Sequence, residues 1–329
     1  MSEPFALGVN YWPRRKAMYW WRSFDPWEVR DEFDVIAGLG MDVVRIFLLW
    51  DDFQPSPRAV DHNRLRDLSE VCDAAAARGL RLDVTFFTGH MSGPNWVPRW
   101  MLDDGAGHPS PFVRQVVSGG SVVGTGYRNM FVDEETLAAS RLLVRTVVAA
   151  YRDHPAIWMW NLGNEPDLLA HPPTEAIGRG WVADMRNMIA DIDGTRPVTC
   201  GLHAASLFER NGLRVDQVFA ETDVAVMHGY PMYVPWARDP LDPDFVPFLC
   251  RLTSALSGRP LASAAAVVPS TRIATPICLV RFCNREARFT TGPNTPTLIC
   301  SCEPICPAIA SPKPTPMPMR NPYKAWAGS

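Results

Sequence analysis

The sequence predicts an α/β protein built as a (β/α)8 TIM barrel, and three observations lead to that class. Strand-like and helix-like segments alternate over about 250 residues, which calls for a parallel sheet covered by helices. Several strand-like runs are almost wholly apolar, as strands buried on both faces must be. Most of these runs then end in polar or aromatic residues, and a barrel gathers its strand C-termini on the face where reactive groups sit. An open doubly wound sheet would alternate in the same way. Its nucleotide-binding versions need a glycine-rich turn between the first strand and its helix, whereas Gly38-Leu39-Gly40 closes a helix instead.

Phe5 to Asn10 reads as the first strand. Pro26 to Leu39 reads as the first helix, with Asp25 as its N-cap and Pro26 at the first helical position. Asp42 to Trp50 is the second strand, nearly continuous in Val, Ile, Phe and Leu apart from Arg45. Asn63 to Arg78 is a helix closing at Gly79, and Leu80 to Phe87 is the third strand. Thr88 to Val132 reads as one long loop, a length uncommon without a function. Asp133 to Tyr151 is a helix and Ala156 to Leu162 the fourth strand. Thr174 caps a helix running to Ile192. Pro197 to Leu202 is strand five, a short irregular or helical link follows, Asp223 to Met227 is strand six, and Asp244 to Leu256 reads as the sixth helix.

The formal net charge of −3 argues against nucleic acid or an acidic membrane surface as the main partner. No apolar stretch approaches the roughly 20 residues that span a bilayer. Met1 to Phe5 lacks a basic region followed by an apolar one, so the expected location is the cytoplasm. No cofactor is expected.

The chemistry concentrates in Ile157-Trp158-Met159-Trp160-Asn161-Leu162-Gly163-Asn164-Glu165-Pro166, where an apolar strand ends in an amide and a carboxylate. Burial among apolar neighbours should raise the Glu165 pKa and suit it to donate a proton near neutrality. Other strand ends supply Asn10-Tyr11-Trp12, Trp50-Asp51, Gly89-His90 and His228-Gly229-Tyr230. Arg45 lies inside an apolar strand, a costly place unless it is paired.

These stretches resemble the clan of retaining glycosidases built on the (β/α)8 barrel, in particular glycoside hydrolase family 5 relatives of the endo-β-1,4-mannosidases and cellulases. The motifs that carry the resemblance are Gly8-Val9-Asn10-Tyr11-Trp12, Val44-Arg45-Ile46-Phe47, Trp160 to Pro166 and His228-Gly229-Tyr230, and they span about residues 5 to 258. The resemblance implies an oligosaccharide or polysaccharide substrate. It implies that Glu165 is the general acid/base and that Asn164 binds the sugar 2-hydroxyl. Arg45 and Tyr230 would orient a nucleophilic carboxylate, and His228 would hold neighbouring groups in place. Trp12, Trp50, His90, Trp96 and Trp236 are candidates for sugar contacts, because a flat aromatic face suits the C–H face of a pyranose.

The pattern breaks near residue 260. A retaining glycosidase needs a second carboxylate about 5–5.5 Å from the first. The resemblance puts it at the end of strand seven, after a Gly-Arg-Pro turn. Here Gly258-Arg259-Pro260 is followed by Leu261-Ala262-Ser263-Ala264-Ala265-Ala266-Val267-Val268, with no carboxylate. Beyond it only Glu286 and Glu303 are acidic. The nucleophile is therefore unassigned, strands seven and eight are not recognisable, and the barrel reads as incomplete. The barrel domain is expected to end at residue 259, with an aberrant tail from 260 to 329. This tail is rich in proline and holds Cys278, Cys283, Cys300, Cys302 and Cys306. A thiol metal site would need a different spacing and a histidine. A proline-rich interaction tail fits the composition. A shifted reading frame accounts for the break, the missing acids and the lost periodicity together, and is the reading we favour. Without strands seven and eight the sheet should stay open, fold poorly and lack hydrolytic activity.

Overall fold

The computed structural model describes residues 6–258, apart from 92, 112, 114, 232, 233, 235, 240, 241 and 243, together with the backbone of 261–266 and 278–281. In chain order, β1 spans Leu7–Asn10, α1 Pro26–Gly38, β2 Val43–Phe47, α2 Trp50–Phe53, α3 His62–Ala76 and β3 Arg81–Thr85. Short strands β4 (Asn95–Trp96), β5 (Val116–Ser118) and β6 (Ser121–Val123) follow, then α4 Glu134–Tyr151, β7 Ile157–Asn164 and α5 Pro166–Leu169. The chain continues through α6 Glu175–Ile192, β8 Val198–His203, α7 Val215–Glu221, β9 Ala225–Gly229 and α8 Phe245–Ser257, and on to β10 Leu261–Ala266 and β11 Cys278–Arg281.

The helix starts follow local chemistry. The Asp25 carboxylate accepts from the N–H groups of Trp27 and Glu28, and Pro26 takes the first helical position. Asp61, Asp133 and Thr174 cap α3, α4 and α6 in the same way. Strands β2, β3, β7, β8 and β9 are buried along nearly their whole length, β2 without interruption. Phe86, Phe87, Trp160, Trp181 and Leu162 join one continuous core between sheet and helices.

Strand order around the sheet is β1-β11-β10-β9-β8-β7-β3-β2, a closed ring. The pairs β1–β2, β2–β3, β3–β7, β7–β8, β8–β9 and β9–β10 are parallel. β11 pairs antiparallel with both β10 and β1. The expected barrel class is therefore present, and its regular strand–helix repeat is incomplete. The expectation of an open sheet is corrected, because β10 occupies the seventh position and β11 closes the ring. Sheet pairing uses backbone N–H and C=O groups, so even an alanine-rich run can complete an edge. Apart from these two backbone strands, the expected tail from 260 to 329 lies outside the described residues, with Glu286, Glu303, Cys283, Cys300, Cys302 and Cys306. The long loop from Thr88 to Val132 is also corrected, since it carries the small sheet β4-β5-β6. β4 pairs with β5 through Asn95–Val116 and Trp96–Val117, which ties down the segment following His90.

Candidate active site

β7 runs two residues further than its apolar pattern indicated, so Asn164 is the last strand residue and Glu165 caps α5. Glu165 has φ 52° and ψ 55°, a left-handed conformation uncommon for a residue with a side chain. Such conformations cost on the order of 1 kcal/mol or more and gather at functional sites. The turn points a carboxylate of only 6% exposure into the end of the barrel.

Neighbouring strands surround that carboxylate. His228, on β9, lies with Nδ1 3.1 Å from Glu165 Oε1. His90, after β3, has Nε2 3.7 Å from Oε2. Arg45, on β2, directs Nη1 at His228 Nε2 (3.1 Å) and donates through Nε to Thr85 Oγ1 (2.8 Å). Its Nε also stands 3.6 Å from Asp83 Oδ2. The β2–β3 register places Arg45 directly beside Asp83. Arg45, His228, Asn164 and Glu165 thus come together as the sequence predicted.

The remaining predicted residues divide. His90 belongs to this cluster and touches the carboxylate. Asn164 donates through Nδ2 to the His90 carbonyl at 2.7 Å, so it braces the histidine. Tyr230 stacks on His203 with ring centres 6.3 Å apart. Trp12 is half-buried and stacks on Phe47 (4.5 Å), over whose ring the Arg45 guanidinium also sits. Trp236 keeps 37% exposure and stacks on Phe245. Trp50 corrects the expectation of a sugar contact. It is fully buried, its indole N–H is taken by Gln54, and its ring edges meet Phe87 and Trp100. Trp96 is corrected likewise. It is buried, donates to the Met91 carbonyl and packs on Tyr19, so it holds the loop carrying His90 and offers no open ring face.

The sequence reading missed His203, Asp83 and Asp167. His203 ends β8, one residue past the predicted strand, and the strand-end rule would have found it. Asp83 is a lone charge inside an apolar strand, the same signal that flagged Arg45. Asp167 accepts from the His203 N–H and the Ser206 hydroxyl (2.7 Å), tying the start of α5 to the end of β8.

Electrostatics overturn one expectation. Burial does oppose ionisation of Glu165, but the hydrogen bond from His228 and the electrostatic attraction of the His203, His228 and His90 rings outweigh it and hold the pKa down to about 2. The anticipated rise is absent. Burial instead pushes Asp83 up to about 6, against the pull of Arg45. Burial, with the nearby Glu165 charge, pushes Asp167 up to about 7 despite the Ser206 hydrogen bond. Burial also lowers the His203 pKa. Among the described residues no group of three His, Cys, Asp or Glu side chains could hold a metal ion, and no helix is long and apolar enough to cross a membrane.

A rice (Oryza sativa subsp. japonica) mannan endo-1,4-beta-mannosidase 4 is 26% identical over 223 residues, 62% of this chain and 46% of that protein. A mannan endo-1,4-beta-mannosidase F of Aspergillus clavatus is 29% identical over 139 residues, 42% of this chain and 27% of that protein. The chain is similar to curated mannan endo-1,4-beta-mannosidases over part of its length. The family model for the TIM barrel domain of family 2 glycosyl hydrolases matches residues 111–234, which include β7 and Glu165. Among solved structures, a GH5_18 variant from Streptomyces cattleya in complex with Manb1-4GlcNAc shares the fold at 23% identity and TM-score 0.66, over 77% of this chain and 60% of that one. An exo-beta-1,4-mannosidase from Opitutaceae bacterium strain TAV5 does so at 24% identity and TM-score 0.68, over 82% and 47%. The chain spans less than half the length of the curated proteins it matches.

Proposed function

We propose that this chain carries the acid/base half of a retaining β-glycosidase site, of a lineage acting on β-linked glycans of the mannan type. The observation that carries the reading is Glu165 at the end of β7, buried and clasped between His228 and His90 on the face where a barrel does its chemistry. In the double displacement that the resemblance implies, Glu165 protonates the leaving glycosidic oxygen and later activates water. Asn164, Tyr230, Trp12 and Trp236 are proposed to help bind the oligosaccharide or polysaccharide. The nucleophilic partner is missing in this reading. β10 pairs beside β9 in the seventh position, and its sequence, Leu261 to Ala266, holds no carboxylate.

The test is titration calorimetry of the purified chain with mannooligosaccharides, paired with Glu165→Gln. Binding heat that survives the substitution supports a sugar site in which Glu165 serves chemistry and not affinity. No heat with any β-linked oligosaccharide refutes the reading.

A second reading, a non-catalytic sugar-binding barrel, is favoured by one specific observation. β10 takes the seventh position in the ring, and Leu261 to Ala266 offers no carboxylate to act as nucleophile. Binding without hydrolysis of an aryl β-mannoside selects this second reading, and hydrolysis excludes it.

A further inference from the structure

Three histidines surround Glu165, each from a different element, and the hydrogen bonds around them decide which one can take up a proton. A neutral imidazole has one N–H and one bare nitrogen, and its partners dictate which is which. His228 Nε2 faces Arg45 Nη1 at 3.1 Å. A guanidinium only donates, so Nε2 is the acceptor and Nδ1 carries the hydrogen donated to Glu165 Oε1. His203 Nδ1 accepts from the Ala205 N–H at 3.1 Å, which puts its hydrogen on Nε2. A second proton on either ring would set one N–H against another and break a buried hydrogen bond.

His90 is different. Its Nδ1 lies 2.8 Å from the Asn95 side-chain oxygen. The Asn95 amide cannot be turned round, because its nitrogen donates to the Leu168 and Leu169 carbonyls and to the Tyr127 hydroxyl. That hydroxyl donates in turn to the Leu169 carbonyl, so it can only accept from Asn95. His90 Nδ1 therefore carries a hydrogen. Its Nε2 is bare in the neutral ring and faces Glu165 Oε2 at 3.7 Å. An imidazolium at His90 would have an acceptor opposite both of its N–H groups. Asn164 fixes the backbone of the same residue through the His90 carbonyl.

We propose that His90 is the proton-holding positioning residue of this site, so that the exchangeable proton belongs to the His90 Nε2–Glu165 Oε2 pair while His228 keeps Oε1 as an acceptor. Its catalytic meaning rests on the acid/base reading of Glu165, whereas the placement of the proton does not. Transfer is balanced within the pair. The Nε2–H bond breaks as the Oε2–H bond forms, and His90 returns to the neutral ring hydrogenated at Nδ1. Active-site contacts of this kind are often long before substrate binds and tighten in the complex. The other titratable or charged groups facing the pair are His203 on β8, His228 on β9 with Arg45 of β2 behind it, and Asp167 on α5.

The experiment is nitrogen NMR of the full-length chain labelled in its histidine rings, followed as the pH is lowered from neutrality. Of the three rings at the site, one is expected to lose its bare-nitrogen signal and become imidazolium. Loss of that resonance in His90→Gln identifies it. His203 and His228 are expected to keep one bare nitrogen each throughout. In Asn95→Leu the His90 ring should show both neutral tautomers, and in Asn95→Asp the Nδ1–H form should return. The wild-type titration decides the outcome even if a variant does not fold. Imidazolium formation at His228 or His203 while His90 keeps a bare nitrogen overturns the proposal, and so do all seven histidines titrating alike, as in an unfolded chain. Failure to bind sugar, with the His90 pattern intact, removes the functional reading alone.

Discussion

Glu165 and Asp167 stand two residues apart with their pKa values displaced in opposite directions, and the consequence is a measurable pH dependence. Asp167 is raised from 3.8 to about 7. Its contribution to stability is full below its unfolded value and is lost as the pH rises through 7. Asp83, raised to about 6, acts in the same sense. Glu165 is depressed to about 2, so its contribution is full above 4.5 and is lost only as the pH falls toward 2. Between about pH 5 and pH 8 the two aspartates dominate, and the chain should become less stable as pH rises, by on the order of a few kcal/mol. Urea midpoints measured at the two ends of that range check it. Asp167→Asn should flatten the difference, and an unchanged slope would show that Asp167 is not the cause. Gly201 gives a second residue-scale prediction. A Cβ there would stand 2.7 Å from His228 Nε2 and 3.0 Å from the Gly163 carbonyl. Gly201→Ala should cost roughly 1–3 kcal/mol by overpacking and push His228 off Arg45. A melt matching that of the unsubstituted chain would contradict it.

At the scale of elements, the helices depend on their caps and the strands on their register. Asp133 accepts from both the Thr136 N–H (2.8 Å) and the Thr136 hydroxyl (2.6 Å) at the start of α4. Asp133→Ala should lower stability by about 1 kcal/mol in urea unfolding. Register does more for the site. The one-to-one pairing of β2 with β3 sets Arg45 beside Asp83, and the pairing of β8 with β9 sets His203 beside His228. A shift of one residue in either pair would turn these side chains to the opposite face of the sheet.

For the whole molecule, the ring of strands closes through β10 and β11, and closure removes the open edges that β1 and β9 would otherwise present. On the proposed reading closure does not restore chemistry, because the seventh strand, Leu261 to Ala266, brings no acid. The purified chain is expected to release no aryl alcohol from an aryl β-mannoside. Sustained release, abolished by Glu165→Gln, would mean that a nucleophile has been supplied from another part of the chain.

Six strand–helix units, the strand-end location of the site, and Arg45, Asn164, Glu165 and His228 were all legible along the chain. Period and composition are local properties, and a strand that ends in polar residues announces its site without reference to any other strand. The sequence alone also shows that Leu261 to Val268 carries no carboxylate. Other features belong to the tertiary structure. Trp50 and Trp96 look like sugar platforms in sequence and are packing residues in space, because burial depends on what the rest of the chain lays over a ring. The direction of the Glu165 pKa was misjudged for the same reason. Burial can be read from apolar neighbours in sequence, but three histidines, from β8, β9 and the segment after β3, outweigh it, and only folding brings them within reach of one carboxylate.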